Sequence, residues 1–238
     1  MSLTALIPAR SGSQRIPNKN IKELAGHPLI AYTIQAAKNS GLFDRIICST
    51  DSNKIKEAAL HYGADVPFFR RKEHNDGAHF CWIMDFVYRL ALDRQGNTFV
   101  LLFPTNPFRA GETIKKAVLA FAADEKATSL LSMRKITEHP AKMRVKLKEH
   151  RYMLPFEATS ERNYNLPIQE LRQDIYIQNA NFRIFNFNTL LKYGDELGDN
   201  ILGYQTTMPE ALDINDEYDW FLAEILIEKG LAKLPEIQ

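Results

Sequence analysis

Short apolar runs alternate along the chain with segments whose apolar residues recur every three or four positions. Residues 3–7 and 99–103 are apolar runs too short for core helices, residues 45–50 are apolar at their centre, and each predicts a buried strand. Residues 28–40 place Leu29, Ile30, Ile34 and Ala37 on one helical face and stop at Gly41, a C-terminal signal. Residues 53–62, capped from Asp51-Ser52 and ended by Gly63, predict a second helix, and residues 80–92 a third. Residues 66–71 form a short apolar element ending in two arginines. The run 99–103, bounded by Asn97 and Pro104, is expected at the centre of the sheet. Residues 112–123 read as an amphipathic helix and 128–133 as a further strand. Alternation of this kind calls for parallel strands with covering helices.

The rhythm breaks over residues 134–173, where charges scatter around Pro140, Pro155 and Pro167 without a helical period. About forty residues without structure are uncommon in a compact domain, so this stretch predicts a projecting β-rich excursion. Strand character resumes over 175–185 and 201–205, and 218–230 predicts a closing helix with Trp220, Phe221, Ile225 and Leu226 inward. The reading is a single α/β domain over residues 1–238, a Rossmann-like, mostly parallel twisted sheet with helices on both faces.

A formal net charge of +1 over 238 residues argues against a nucleic-acid or membrane partner held by general basic charge. Cys48 and Cys81 suit reduced thiols better than a disulfide framework, which points to a cytoplasmic setting. Basic charge is instead local. From Arg10 to Lys22 there are four cations (Arg10, Arg15, Lys19, Lys22) and no acid, on a loop following the first strand. Gly12 allows close backbone approach, and Ser11, Ser13, Asn18 and Asn20 add neutral hydrogen-bond partners. Such a loop suits either a solvated connector or a polyanion site, for which a triphosphate is the natural guest. It matches neither G-x-x-x-x-G-K-[ST] nor G-x-G-x-x-G. The six histidines show no zinc-binding spacing, and there is no G-x-S-x-G elbow.

The wording of this loop, Pro8-Ala9-Arg10-Ser11-Gly12-Ser13-Gln14-Arg15-Ile16-Pro17-Asn18-Lys19-Asn20, with Gly26-His27-Pro28-Leu29-Ile30 after it, resembles the opening signature of the acylneuraminate cytidylyltransferases. Asp44–Asp51 resembles that family's D-R-[VI]-[VI]-x-S-T-D segment, and Tyr62–Phe68 its Y-G-A-x-V-P-F segment. Pro104-Thr105-Asn106-Pro107-Phe108-Arg109 stands at its P-T-S-P-L-R, and 211–220 at its V-D-I-D-T-x-x-D-[FW]. The resemblance implies nucleotidyl transfer from CTP to a small acidic sugar of the nonulosonic class, with magnesium and a homodimer built on 134–173. It implies nucleotide contacts from Arg10, Ser11, Gly12, Ser13, Gln14, Lys19, Asn20 and Arg70 or Arg71, with Arg10 and Lys19 acting on the phosphates. Acceptor contacts are implied for Phe103, Thr105, Arg109, Gln169 and Asn179, and metal binding for Asp213 and Asn215.

Thr105 and Arg109 are expected to face the cleft beyond the carboxyl ends of the strands. Several positions depart from the family pattern. Gln14 replaces a lysine, Phe103 a glutamine, Ile168 an arginine and Asn215 an aspartate. Phe lacks an amide's donor and acceptor pair, so the acceptor contacts are altered while the nucleotide contacts are mostly kept. These departures leave two other readings open: transfer to a sugar 1-phosphate from another nucleoside triphosphate, and a nucleotide-binding relative with weakened catalysis. Asn215 also suits a helix N-cap. No general base is identifiable.

Overall fold

The computed structural model describes residues 2–71, 79–90, 98–136, 138–145, 154–155 and 174–237. Its main sheet comprises β1 (Leu3–Pro8), β2 (Arg45–Ser49), β3 (Thr98–Leu102), β4 (Ser129–Lys135), β5 (Tyr176–Asn186) and β6 (Ile201–Gln205). These six strands lie in the order β6-β4-β5-β3-β1-β2. β1 pairs in parallel with both β2 and β3, and β6 pairs in parallel with β4. β5 runs antiparallel to β3, with Val100 opposite Ile184. The sheet is therefore mixed and mostly parallel. The run expected at its centre is interior, and all five residues of β3 are buried.

Successive side chains of a strand point to opposite faces, and this chain covers both. Ala5, Ile7, Val100 and Leu102 pack with residues of α1 (Leu29–Ser40), α2 (Asn53–His61) and α4 (Gly111–Ala122). Leu6, Phe99 and Leu101 pack on the other face against Ile83, Phe86 and Val87 of α3 (His79–Leu90) and Phe187 and Leu190 of α5 (Phe187–Tyr193). α4 packs tightly on α1 at Gly111, where an added Cβ would lie 2.7 Å from the α1 backbone. Between layers, α1 is buried nearly all round, Thr33, Gln35 and Ser40 included, rather than along the single face its spacing suggested.

Residues 66–71 form no strand; the connection makes one parallel bridge, Ile47 with Asp65. α5 and a two-residue ladder, Glu23–Leu24 with His27–Pro28, went unread in the sequence because each is too short to show a period. In the closing helix α6 (Glu217–Glu228), Trp220 and Ala223 are buried but Phe221 is 61% exposed, which corrects its expected inward position. Phe221 follows Trp220 by one residue, about 100° round the helix, and cannot share its face.

The chain divides into two compact units, residues 1–133 with 179–238, and residues 134–178. Within the second, Arg144–Val145 pairs antiparallel with Leu154–Pro155, His139 caps a short 3-10 turn at Pro140–Lys142, and Lys135 meets Asp174 at 2.5 Å. Most of the expected excursion, including Ile168 and Gln169, lies outside the described residues.

Candidate active site

The carboxyl ends of β1, β2 and β3 gather the polar residues of the first unit. β1 releases the chain at Ala9, whose N–H donates to Ser49 O at the end of β2. Arg10, Ser11, Gly12, Gln14 and Arg15 are exposed, and Ser13 is half-buried. Gly12 has no φ in the left-handed region, and an added Cβ there would meet no atom within 4 Å. The fold itself does not demand glycine at this position, which leaves the backbone open to close approach from outside. Asn20 is buried, and its Nδ2 donates to Arg10 O at 3.0 Å, closing the loop on itself.

Lys19 reaches across the chain. Its Nζ donates to Ile214 O at 2.7 Å, beside Asp213. Burial lowers the Lys19 pKa below the usual lysine value; Asp213 and Asp219 oppose that shift, while Arg15 and Arg10 add to it. Four charged side chains of the loop and the 213–219 segment, Arg10, Arg15, Asp213 and Asp219, thus act on Lys19. Asp213 Oδ2 accepts from Asn215 Nδ2 at 2.9 Å, whereas Asp213 Oδ1 is buried with no hydrogen-bond partner among the described residues. Unpaired buried carboxylate oxygens are costly, and a cation is their usual complement. Among the described residues no group of three or more His, Cys, Asp and Glu gathers to hold a metal by itself.

Asn215 is not the cap of α6. Asp216 holds that position in a reciprocal capping box with Asp219, and Asn215 N–H donates to Asp219 Oδ2 at 2.8 Å. The 213–215 segment is fixed from the other side by the loop after β3, since Ile214 N–H donates to Thr105 O at 2.8 Å and Asn106 Nδ2 to Leu212 O at 2.9 Å. Thr105 is half-buried at this junction. Phe103, also half-buried, leaves β3 on the α3 face, with the Arg183 guanidinium 5.6 Å from its ring centre.

Two expected ligand contacts are committed to the fold. Arg109 is fully buried and does not face the cleft, which corrects the orientation expected from its loop. Its guanidinium donates to Asn181 Oδ1 at 2.5 Å, to Asn181 O, to Phe103 O at 2.8 Å and to Thr33 Oγ1 at 3.3 Å. Burial lowers its pKa, opposed by Glu210 and Asp213. Asn179 is likewise buried, donating through Nδ2 to Thr206 Oγ1 at 2.7 Å.

The two arginines after Phe69 separate cleanly. Arg70 is buried, donating from Nε to Ser49 Oγ at 3.1 Å and from Nη2 to Ser49 O at 3.0 Å. Arg71 is exposed and lies 3.6 Å from Asp85 of α3. Sequence reasoning missed the role of Asp51. Ser52, not Asp51, caps α2, and the Asp51 carboxylate instead accepts Ser11 N–H and Ser11 Oγ–H, each at 2.8 Å.

Three comparisons bear on this arrangement. A family model described as Cytidylyltransferase matches residues 4–204. The chain is 34% identical over 235 residues to CMP-N,N'-diacetyllegionaminic acid synthase of Legionella pneumophila, covering 96% of this chain and 97% of that one. It is 32% identical over 231 residues to N-acylneuraminate cytidylyltransferase of Escherichia coli, covering 95% of this chain but 52% of that longer protein. A stretch of 76 residues is 54% identical to pseudaminic acid cytidylyltransferase of Campylobacter jejuni, about a third of each chain (32% and 33%). The fold matches CMP:2-keto-3-deoxy-manno-octonic acid synthetase complexed with CTP at a TM-score of 0.69 and 14% identity, covering 97% of this chain and 100% of the other.

Proposed function

We propose that this chain, which belongs to the cytidylyltransferase family, activates a nonulosonic acid with CTP. The anomeric hydroxyl of the sugar attacks the α-phosphorus, the bond between the α- and β-phosphates breaks, and a CMP-sugar and pyrophosphate leave. One observation carries the reading: the half-buried Lys19, on a cationic loop, set beside Asp213 with its orphaned Oδ1, at the carboxyl ends of parallel strands. Ligands of open α/β sheets bind in that crevice.

The roles follow from the placement. Arg10 and Lys19 neutralise the triphosphate, and the burial that chiefly lowers the Lys19 pKa, with the lesser repulsion from Arg15 and Arg10, is offset when an anion enters. Gly12 admits phosphate oxygens close to its backbone. Ser13 and Gln14 complete the rim, and Asn20 acts through the Arg10 carbonyl, orienting the loop. Arg71 is the exposed cation on the nucleoside side. Phe103 and Thr105 border the acceptor, where an aromatic ring in place of an amide favours a deoxygenated, legionaminic- or pseudaminic-type sugar.

Magnesium fits this donor set, since it binds through one or two carboxylates plus substrate phosphates and Asp213 offers a free oxygen. Asp213 would hold it, with Asn215 supplying a neutral amide oxygen in place of a second charge. When bound, it would withdraw charge from the phosphates and acidify the attacking hydroxyl. A homodimer formed through residues 134–173 and a cytoplasmic setting complete the proposal; a monomer at micromolar concentration in sedimentation velocity would remove the dimer. The function itself is tested by thermal shift with CTP, UTP, GTP and ATP, each with magnesium. CTP is expected to stabilise most. Equal shifts with all four, or none, would remove the cytidylyl assignment.

A further inference from the structure

We propose that Asp51 is a positioning residue for the phosphate loop, holding Ser11 so that Arg10 and Gly12 present themselves to CTP. The inference rests on the function proposed above. A carboxylate just before a helix would ordinarily serve its first turn, but Ser52 takes that role through Oγ, which accepts Ile55 N–H. Asp51 is thereby released for a partner 40 residues away, and it uses both oxygens on one residue: Oδ1 for Ser11 N–H and Oδ2 for Ser11 Oγ–H. Two parallel bonds to a charged acceptor fix orientation as well as distance.

This geometry changes the part Ser11 plays. Its amide and hydroxyl are spent on Asp51, so Ser11 anchors the loop, and phosphate contacts fall to its neighbours. Ala9, just before Arg10, is tied to the end of β2 through its N–H to Ser49 O at 2.9 Å, and Ser13 folds back on the anchored residue through its N–H to Ser11 O at 2.9 Å. Arg70 braces that strand end from beneath through its two bonds to Ser49, and its charge faces Asp51. The end of β2 thus acts as a template for the loop after β1.

The test compares Asp51→Asn, Ser11→Ala and the double variant with the parent protein by CTP calorimetry in the presence of magnesium, by steady-state pyrophosphate release, and by unfolding temperature without ligand. Misplacing a binding group by an ångström can cost up to about 100-fold, so Asp51→Asn is expected to weaken CTP by about 10- to 100-fold with the acceptor KM unchanged. Ser11→Ala removes one of the two bonds and is expected to cost about 2- to 10-fold. The double variant should be no worse than Asp51→Asn, because both changes break one interaction. A merely structural role would lower the unfolding temperature and leave the CTP KM untouched, and that result overturns the inference. So does additivity of the two single changes. If Asp51→Asn does not fold, unchanged CTP affinity in Ser11→Ala overturns it as well. CTP binding by the parent that persists in Asp51→Asn defeats this inference only, whereas no CTP binding by the parent defeats the proposed function with it.

Discussion

Replacing Arg109 with alanine separates a residue that holds the fold from one that holds a substrate. The guanidinium is fully buried and donates to Asn181 Oδ1, Asn181 O, Phe103 O and Thr33 Oγ1. Without it, the two acceptors of Asn181 and the Phe103 carbonyl lose their charged donor. Each buried acceptor left unmade costs about 1–3 kcal/mol. Thr33 Oγ1 also reaches Phe103 O at 3.4 Å and compensates there in part, so two to three acceptors remain exposed to the loss. The sum is about 2–9 kcal/mol, centred near 5, a large share of the roughly 5–15 kcal/mol that keeps a domain folded. For a chain of this size about 2–4 °C of unfolding temperature accompanies each kcal/mol, giving a fall on the order of 10–20 °C. Arg109→Lys keeps the charge but only one donor centre, and should lie between the two. Urea unfolding gives the free energy, and pyrophosphate release with CTP gives the kinetics at a temperature where both variants remain folded. An Arg109→Ala protein with parental stability and a raised acceptor KM would refute the reasoning and return Arg109 to the cleft.

Three further outcomes follow from particular contacts. Gly111→Ala drives a Cβ to within 2.7 Å of the α1 backbone, and should cost about 1–3 kcal/mol despite alanine's better helix propensity; a neutral or stabilising result in urea unfolding would deny the close helix contact. The Lys19 pKa lies below the usual lysine value, and CTP binds the charged form, so affinity should hold on the acid side and fall as pH rises through that lowered pKa. This decline should begin at a lower pH than an ordinary lysine would give, and Lys19→Arg should abolish it in calorimetry; a pH-independent affinity would remove Lys19 from the phosphates. Asn215→Asp sets a second carboxylate against Asp213 Oδ2 in place of an amide donor now 2.9 Å away. It should lower the stability of the metal-free protein and tighten magnesium, since Asp216 caps α6 regardless; magnesium titrations with no change would end the metal role of this segment.

The sequence was most readable where one physical signal dominated. The run at 99–103 is apolar in every residue, and its first four residues lie in the buried interior strand β3 as the pattern requires. Strand direction was not readable, because alternation carries no arrow, and the antiparallel setting of β5 against β3 is fixed by long-range pairing. The closing helix misled because Tyr218, Trp220, Phe221, Leu222, Ile225, Leu226 and Ile227 leave no clear polar face, so several stripes fit equally well. Lys19, Asp213 and Asn215 were legible as a set, and they do adjoin. Arg109 was misread because arginine is rarely buried, and its partners Thr33 and Asn181 lie 76 and 72 residues away. Asp51 was misread for the same reason of distance: its local alternative, capping α2, was the better bet from neighbours in the chain.

The position of β5 also governs the order in which this protein can be made. β3 and β4 are consecutive strands of the main sheet in sequence, yet they are not neighbours, and β5 lies between them. During synthesis β1, β2 and β3 can assemble as soon as residue 102 has emerged, but β4 must wait, its edge unpaired, until residues 176–186 arrive to bridge it. Long-range pairing of this kind is slow because the intervening chain must close a loop before any contact rewards it. The half-made sheet exposes one edge of β3 throughout that interval, and unpaired edges are where growing chains stick to one another. A chaperone, or a low synthesis temperature, should therefore raise the yield of folded protein mainly by guarding that one gap until the late strand fills it.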